Sequence, residues 1–208
     1  MAMPFPERPR KPRADGVRSR QSILDAAARQ ASIEGLEGLS IGTLAAALGM
    51  SKSGLYAHFG SKEDLELAVV DHARRIFEAE VLAPANAAPP GVARLIVHCE
   101  AYLSYLERRV FPGGCFFAAT VAEFDSRTGP VRDAITAIVA AIHDRLLAHL
   151  REAQALGELP PSTDVAQLAF EVAAFLAAAN AGMLLDGTPA ALARARAAID
   201  RALTAAGS

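Results

Sequence analysis

Residues 40–62 read SIGTLAAALGMSKSGLYAHFGSK, and this interval governs how the rest of the chain is parsed. Ser40 is placed to cap a helix whose Ile41, Leu44, Ala45 and Leu48 recur on one face. Gly49 supplies the left-handed residue that ends that helix and turns the chain tightly. Ser51 can cap a second short helix. Ser61, with Asp64 three residues on, can cap the next in a variant of the capping box. Two short helices joined by a Gly-containing turn, with a longer helix on either side, form the helix-turn-helix pattern.

On a helical wheel of ~100° per residue, Leu55 and Phe59 fall together and must be buried against the preceding helices. Lys52, Ser53, Tyr56 and Ala57 then occupy the flanks and the opposite face. That face is poorly suited to a core and well suited to a nucleic-acid groove. Lys52 offers a charge for phosphate or a donor for guanine, Ser53 a small hydroxyl, and Tyr56 a phenol for phosphate or base. Gly54 permits close backbone approach, His58 and Lys62 can reach the sugar–phosphate backbone, and Thr43 presents a further hydroxyl to the same side. Charge is shared in the same sense. Residues 1–62 hold nine Lys/Arg against five Asp/Glu, whereas residues 63–208 hold twelve against eighteen, a basic head on an acidic body.

Working outward, Pro4, Pro6, Pro9 and Pro12 with interleaved Arg and Lys make residues 1–18 a flexible basic arm. Helical periodicity begins at Ser19, continues through Ile23, Leu24, Ala27, Ala28 and Ala31, and stops at Gly35. Downstream, a fourth helix from Ser61 is expected to end at Pro84. Later breaks fall at Pro89–Pro90–Gly91, Pro112–Gly113–Gly114, Gly129–Pro130, Pro160–Pro161 and Asp186–Gly187–Thr188–Pro189. Pro160–Pro161 with Ser162 and Thr163 opens the eighth helix, and Thr188 caps the ninth with Pro189 as its first residue. The sequence therefore predicts an all-α chain of about nine helices. Its parts are a basic arm (1–18), a helix-turn-helix domain (19–65) and a helical second domain (66–208).

Several function classes are disfavoured. Hydrophobic residues make up 52% of the chain with only 6% aromatic, and Ala dominates, which suits packed helices. Charges interrupt the apolar runs before the ~18 residues a membrane span needs, and the basic N-terminus lacks a secretory h-region, so a cytoplasmic protein is expected. Cys99 and Cys115, sixteen residues apart, have no metal-binding or CxxC spacing and are expected to be buried free thiols, with a redox pair as the alternative. The histidines at 58, 72, 98, 143 and 149 form no HExxH and no i,i+4 pair. There is no nucleophile elbow, P-loop or dinucleotide fingerprint. Neither an enzyme nor a resident cofactor or metal is expected.

The stretch ILDAAARQASIEGLEGLSIGTLAAALGMSKSGLYAHFGSKEDL resembles the DNA-binding domain of the TetR family of bacterial transcriptional regulators. The shared features are IGTLAAALG, GLYAHF and the Ser-Lys-Glu-Asp-Leu that follows, over residues 19–66. Beyond them only the number and length of helices are similar. The resemblance implies a repressor that binds a palindromic operator as a dimer and releases it when a small molecule enters the second domain. It implies DNA contacts from Ser40, Thr43, Ser51, Lys52, Ser53, Gly54, Tyr56, His58 and Lys62. It also implies a dimer seam on the last two helices, where Leu168, Phe175, Leu184, Leu192, Ile199 and Leu203 could supply the knobs.

An apolar effector chamber could be lined by Tyr102, Leu106, Phe116, Phe117, Thr120, Phe124 and Phe175, with His98, Glu123, His143 and Asn180 as polar candidates. A ligand there would displace the sixth and seventh helices and swing the fourth, spoiling the spacing of the two recognition helices. The competing reading is a helical, ligand-binding dimer that keeps its helix-turn-helix only as scaffold.

Overall fold

Ile23, Leu24, Ala27, Ala28 and Ala31 are fully buried along one stripe of the first helix, as their spacing dictates. This places the stripe at the centre of a head formed by three helices. The computed structural model describes residues 12–207, with side chains from Ser19 onward. The elements are α1 (Pro12–Glu34), α2 (Ile41–Ala47), α3 (Lys52–Phe59) and α4 (Lys62–Phe77), then a π-helical turn (Glu78–Leu82) and α5 (Ala83–Ala87). They continue with α6 (Val92–Glu107), α7 (Phe116–Phe124), α8 (Pro130–Ala155), α9 (Val165–Asp186) and α10 (Ala190–Ala206). Taken as one rod, α4, the π turn and α5 bring the number of rods to nine, and there is no strand among the described residues.

Each short helix of the head is punctuated by its own residues. Gly49 adopts φ +63°, and Met50 N–H returns to the Ala45 carbonyl at 2.8 Å, closing α2 in a Schellman-type stop. Ser61 Oγ accepts from Asp64 N–H at 3.0 Å and donates to the Asp64 carboxylate at 2.6 Å, the expected capping box. Leu55 and Phe59 are buried, each such side chain contributing ~1.5–3 kcal/mol relative to exposure.

Four boundaries differ from expectation. The first helix starts at Pro12 rather than Ser19, because proline is compatible with a first helical turn and the arm sequence that follows it contains no other proline. The expected flexible arm is thereby shortened, and residues 1–11 lie outside the described residues. Pro84 does not end the fourth helix. The missing N–H and ring of Pro84 are accommodated by the π turn just before it, in which Ala83 N–H reaches the Glu78 carbonyl five residues back. Asp164, not Ser162 or Thr163, caps α9 by accepting from Ala166 N–H at 3.1 Å and Gln167 N–H at 3.0 Å. Pro189 occupies the N-cap of α10 with no side-chain cap, so Thr188 does not cap that helix.

In the body, α6, α8 and α9 pack around the chamber described below, α4 lies against α8, and α10 pairs chiefly with α9. Helix α9 corrects the expectation about apolar runs. With Glu171 as its only charge before Asp186 and a mean hydropathy of 1.8, it is long and apolar enough to cross a membrane by length and composition. In the fold one face, carrying Leu168, Val172, Leu176 and Met183, is buried, while Phe170, Leu184 and Leu185 stand 70%, 50% and 85% exposed.

Candidate functional site

The outward surface of the head is built by the caps that shape α2 and α3. Ser40 Oγ accepts from Thr43 N–H at 3.4 Å, and Thr43 Oγ1 donates to the Ser40 carbonyl at 3.0 Å. Ser51 Oγ accepts from Gly54 N–H at 3.1 Å and sits 3.1 Å from Ser53 Oγ. Thus the hydroxyls of Ser40, Ser51 and Thr43 first serve the helix ends. Lys52, Ser53 and Tyr56 are exposed on one side of α3, and His58 is half-buried beside Phe59. A Cβ on Gly54 would approach Ser51 Oγ to 3.1 Å, so the residue also keeps the N-terminal turn of α3 tight. Lys62 is partly engaged at home, donating to the Glu37 carbonyl at 3.1 Å and lying 3.5 Å from Glu66.

Three attachments join the head to the body. Glu123, near the end of α7, accepts from Leu36 N–H at 2.8 Å and Glu37 N–H at 2.7 Å, in the turn between α1 and α2. Arg127 adds an ion pair to Glu37, which holds the Glu37 carboxyl below its ordinary range. Gly113, in the loop before α7, donates its N–H to Ser32 Oγ at 3.1 Å, and a Cβ on it would come within 1.8 Å of the Ser32 carbonyl oxygen. Only glycine lets the loop approach α1 so closely. The third attachment is His72 on α4, whose Nδ1 accepts from Gln21 at 3.4 Å while Nε2 donates to Asp25 at 2.7 Å. Glu123 was anticipated as an effector contact and is instead a latch on the head. Neither His72 nor Gly113 stood out in the sequence, because their partners lie more than forty positions away.

The chamber is a cavity of about 330 Å³ in the body. Of the residues named from the sequence, His98, Tyr102, Phe117 and His143 line it. The other anticipated lining residues do not. Phe116 is buried against Phe111 and Phe117, and Thr120 Oγ1 is committed to the Phe116 carbonyl at 3.0 Å. Phe124 is buried under the Arg127 guanidinium near the head. Leu106 lines a separate hollow of about 150 Å³, and Phe175 packs against the core instead. Asn180 lines that smaller hollow rather than the chamber, and its Oδ1 accepts from Cys115 N–H at 2.8 Å.

The walls missed from sequence are Phe77 on α4, Cys115, Ala118 and Val121 around α7, Val139, Ile142 and Leu146 on α8, and Ala173, Leu176 and Ala177 on α9. The stripe of Val139, Ile142 and Leu146 at i, i+3 and i+7 was a legible signal; Phe77 was not.

Both cysteines are free and buried, as expected. Burial pushes the Cys99 thiol up to about 12 and raises that of Cys115, which disfavours the thiolate needed for redox reactivity. Burial also drives His98 down to about 4, helped by His149 alongside it, with ring centroids 5.4 Å apart. Among the described residues, two buried side-chain polar atoms lack a hydrogen-bond partner: His98 Nδ1 and the Tyr105 hydroxyl.

The expected knobs of a dimer seam divide. Leu168, Leu192 and Ile199 are buried where α9 and α10 pack on the body, so within one chain they are already covered. Phe175 and Leu203 are half-buried, and Leu184 is open. Phe170 and Leu185, not anticipated, extend the open apolar face of α9.

Comparison with known proteins is consistent with these features. Residues 91–199 match the tetracycline repressor-like C-terminal domain, and residues 23–69 match the bacterial regulatory proteins of the tetR family. The chain is 29% identical over 154 residues to the HTH-type transcriptional repressor ComR of Escherichia coli (strain K12), covering 74% of this chain and 73% of that one. A TetR transcriptional regulator from Chloroflexus aurantiacus superposes with a TM-score of 0.84 at 26% identity, covering 92% of this chain and 96% of the other. AibR, solved with isovaleryl coenzyme A and operator DNA, superposes with a TM-score of 0.66 at 26% identity over 82% of this chain and 88% of its own.

Proposed function

The chain belongs to the TetR family of bacterial transcriptional regulators, and on that premise we propose that it is a repressor that holds a palindromic operator as a dimer and releases it when a small, largely apolar effector fills the 330 Å³ chamber. The observation that carries this reading is the α3 face. Lys52, Ser53 and Tyr56 are exposed on a helix whose opposite side is sealed by Leu55 and Phe59, leaving an outward surface with donors for phosphate and base edges. Ser40, Thr43, Ser51, Gly54, His58 and Lys62 shape or flank that surface, and operator DNA, hence the cytoplasm, is its natural setting.

The open stripe on α9 supports the dimer. Phe170, Leu184 and Leu185 are large and exposed, while Ala174, Ala178 and Ala181 between them allow close helix approach, the composition of a four-helix seam with a second copy. Two copies would then present two recognition helices to successive major grooves, ~34–36 Å apart.

Release follows from two routes out of the chamber. Phe77 forms part of its wall and belongs to α4, which is tied to α1 through His72. Phe117, Ala118 and Val121 form another part and belong to α7, whose Glu123 grips the α1–α2 turn. An effector that fits better when these helices are displaced shifts the pair of heads away from groove-matched spacing, by as much as its affinity differs between the two states.

The deciding experiment is selection of bound sequences from random DNA by the purified protein at two salt concentrations. A palindromic site whose affinity falls steeply with salt, and is weakened by Tyr56→Phe and Lys52→Ala without loss of folding or dimerisation, is the expected result. Weak, sequence-blind binding that both substitutions leave unchanged would refute the reading and favour a ligand-binding dimer with a vestigial head.

A further inference from the structure

The make-up of the chamber restricts what can occupy it. None of its fourteen lining residues is Asp, Glu, Lys or Arg. Its polar atoms are few: the Tyr102 hydroxyl lies beside the Cys115 thiol, and the Cys115 backbone N–H is engaged by Asn180. His143 is solvent-exposed on α8. His98 differs from all of these. It is 1% exposed, its ring forms part of the wall, and its Nδ1 has no hydrogen-bond partner. A buried nitrogen without a partner carries a standing cost that an incoming polar group can relieve. A second histidine, His149, packs edge-on against the ring, so a protonated His98 would face another imidazole rather than a counter-charge. The burial that keeps the ring neutral agrees with that geometry.

Resting on the reading of this cavity as the effector site, we propose that its occupant is an uncharged, mostly apolar molecule carrying one hydroxyl, held by the His98 imidazole. A neutral imidazole donates at one nitrogen and accepts at the other, and a hydroxyl does both, so either tautomer makes the bond. A carboxylate or ammonium would surrender its hydration with no Asp, Glu, Lys or Arg in the wall to pair with it.

Three probes of one shape test this: naphthalene, 1-naphthol and 1-naphthoate, titrated calorimetrically into the full-length protein. 1-Naphthol is expected to bind about tenfold tighter than naphthalene, the span of one well-made hydrogen bond, and at least tenfold tighter than 1-naphthoate. His98→Leu should erase the advantage of naphthol while naphthalene still binds, and His98→Asn, which keeps a polar atom at the position, should restore part of it. Thermal melting of both variants separates loss of the handle from loss of the fold. Equal or tighter binding of the carboxylate, a naphthol preference that survives His98→Leu, or binding of none of the three would overturn the proposal. Operator affinity measured in parallel distinguishes the two readings. Probes that bind in the expected order yet leave operator binding unchanged would support this ligand class and refute the effector role. Probes that fail to bind a protein that recognises its palindrome would do the reverse.

Discussion

Replacing Glu123 with Ala removes both acceptors that hold the α1–α2 turn to α7, bonds of 2.8 Å from Leu36 N–H and 2.7 Å from Glu37 N–H. A hydrogen bond to a charged group contributes ~1.5–3 kcal/mol. The Leu36 amide is part-buried and the Glu37 amide lies in solvent, where water replaces the carboxylate at little cost. The loss is therefore set mainly by Leu36, at about 2 kcal/mol. With 1.36 kcal/mol per factor of ten, the turn should open about thirtyfold more often. Native-state hydrogen exchange reads this directly: the Leu36 amide should exchange about thirtyfold faster in Glu123→Ala, with a smaller change at Glu37. Glu123→Gln keeps one acceptor oxygen but turns an NH₂ towards the other donor, and should fall between. Arg127→Ala, which removes the solvent-exposed pair with Glu37, a bond to the Glu123 main-chain carbonyl at 3.1 Å and the stacking on Phe124 but leaves the Glu123 carboxylate in place, should change Leu36 exchange far less than Glu123→Ala does. Because α7 forms part of the chamber wall, the same Glu123 variant should also narrow the difference in operator affinity with and without effector. Unchanged exchange at Leu36, or an equal effect from Arg127→Ala, would refute the latch.

Other consequences follow from the same geometry. Gly113→Ala would drive a Cβ to within 1.8 Å of the Ser32 carbonyl oxygen and should cost about 3 kcal/mol or more in urea unfolding. Gly157→Ala, with φ +76° but nothing within 4 Å, should cost about 1 kcal/mol. Ser51→Ala removes the cap of α3 and should lower stability by ~1 kcal/mol, whereas Lys52→Ala should leave the melt unchanged and reduce the salt slope of operator binding by about one phosphate contact. Leu185→Glu on the open face of α9 should yield folded monomers in sedimentation analysis, whereas Leu192→Glu, at a buried position, should prevent folding. His98 has a folded-state pKa of about 4 against an ordinary 6.5, so the unfolded chain binds the extra proton first as pH falls. Its contribution to stability is intact above about pH 6.5 and lost between there and about 4, up to ~3 kcal/mol, and His98→Leu should flatten that part of the pH profile.

What the sequence disclosed was local. The caps at Ser40, Ser51 and Ser61 and the stop at Gly49 are bonds between residues within a few positions of each other, and their side-chain chemistry announces them. The faces of α1 and α3 follow from helical spacing, and both were legible. Pro84 misled because a proline announces a helix end, yet a π turn one step earlier absorbs it without breaking the rod. The chamber was half-legible for a related reason. Aromatic residues in the segment 102–124 were natural lining candidates, but neighbours on one helix point to different sides. Phe117 therefore faces the cavity while Phe116 is spent on the core. The seam residues were assigned by apolarity, which cannot distinguish a knob facing a partner from one facing the chain's own body. Leu192 and Leu185 are alike in type and opposite in exposure. Glu123 was singled out for its charge, but its partners are main-chain amides and no sequence pattern marks them.

That last contact has a consequence for how such a protein can change over generations. Beside the side-chain bonds of His72 and Arg127, the body also grips the reading head by its peptide backbone: Glu123 engages two amide groups, and Gly113 lies against the main chain of Ser32. Main-chain groups are the same whatever side chains decorate the head. A head that acquires new bases to recognise, or one transplanted from a relative, would therefore present the same handle to an unchanged sensor. The joint behaves as a standard coupling between interchangeable parts, and the vocabulary of signals and the vocabulary of operators are free to diversify separately.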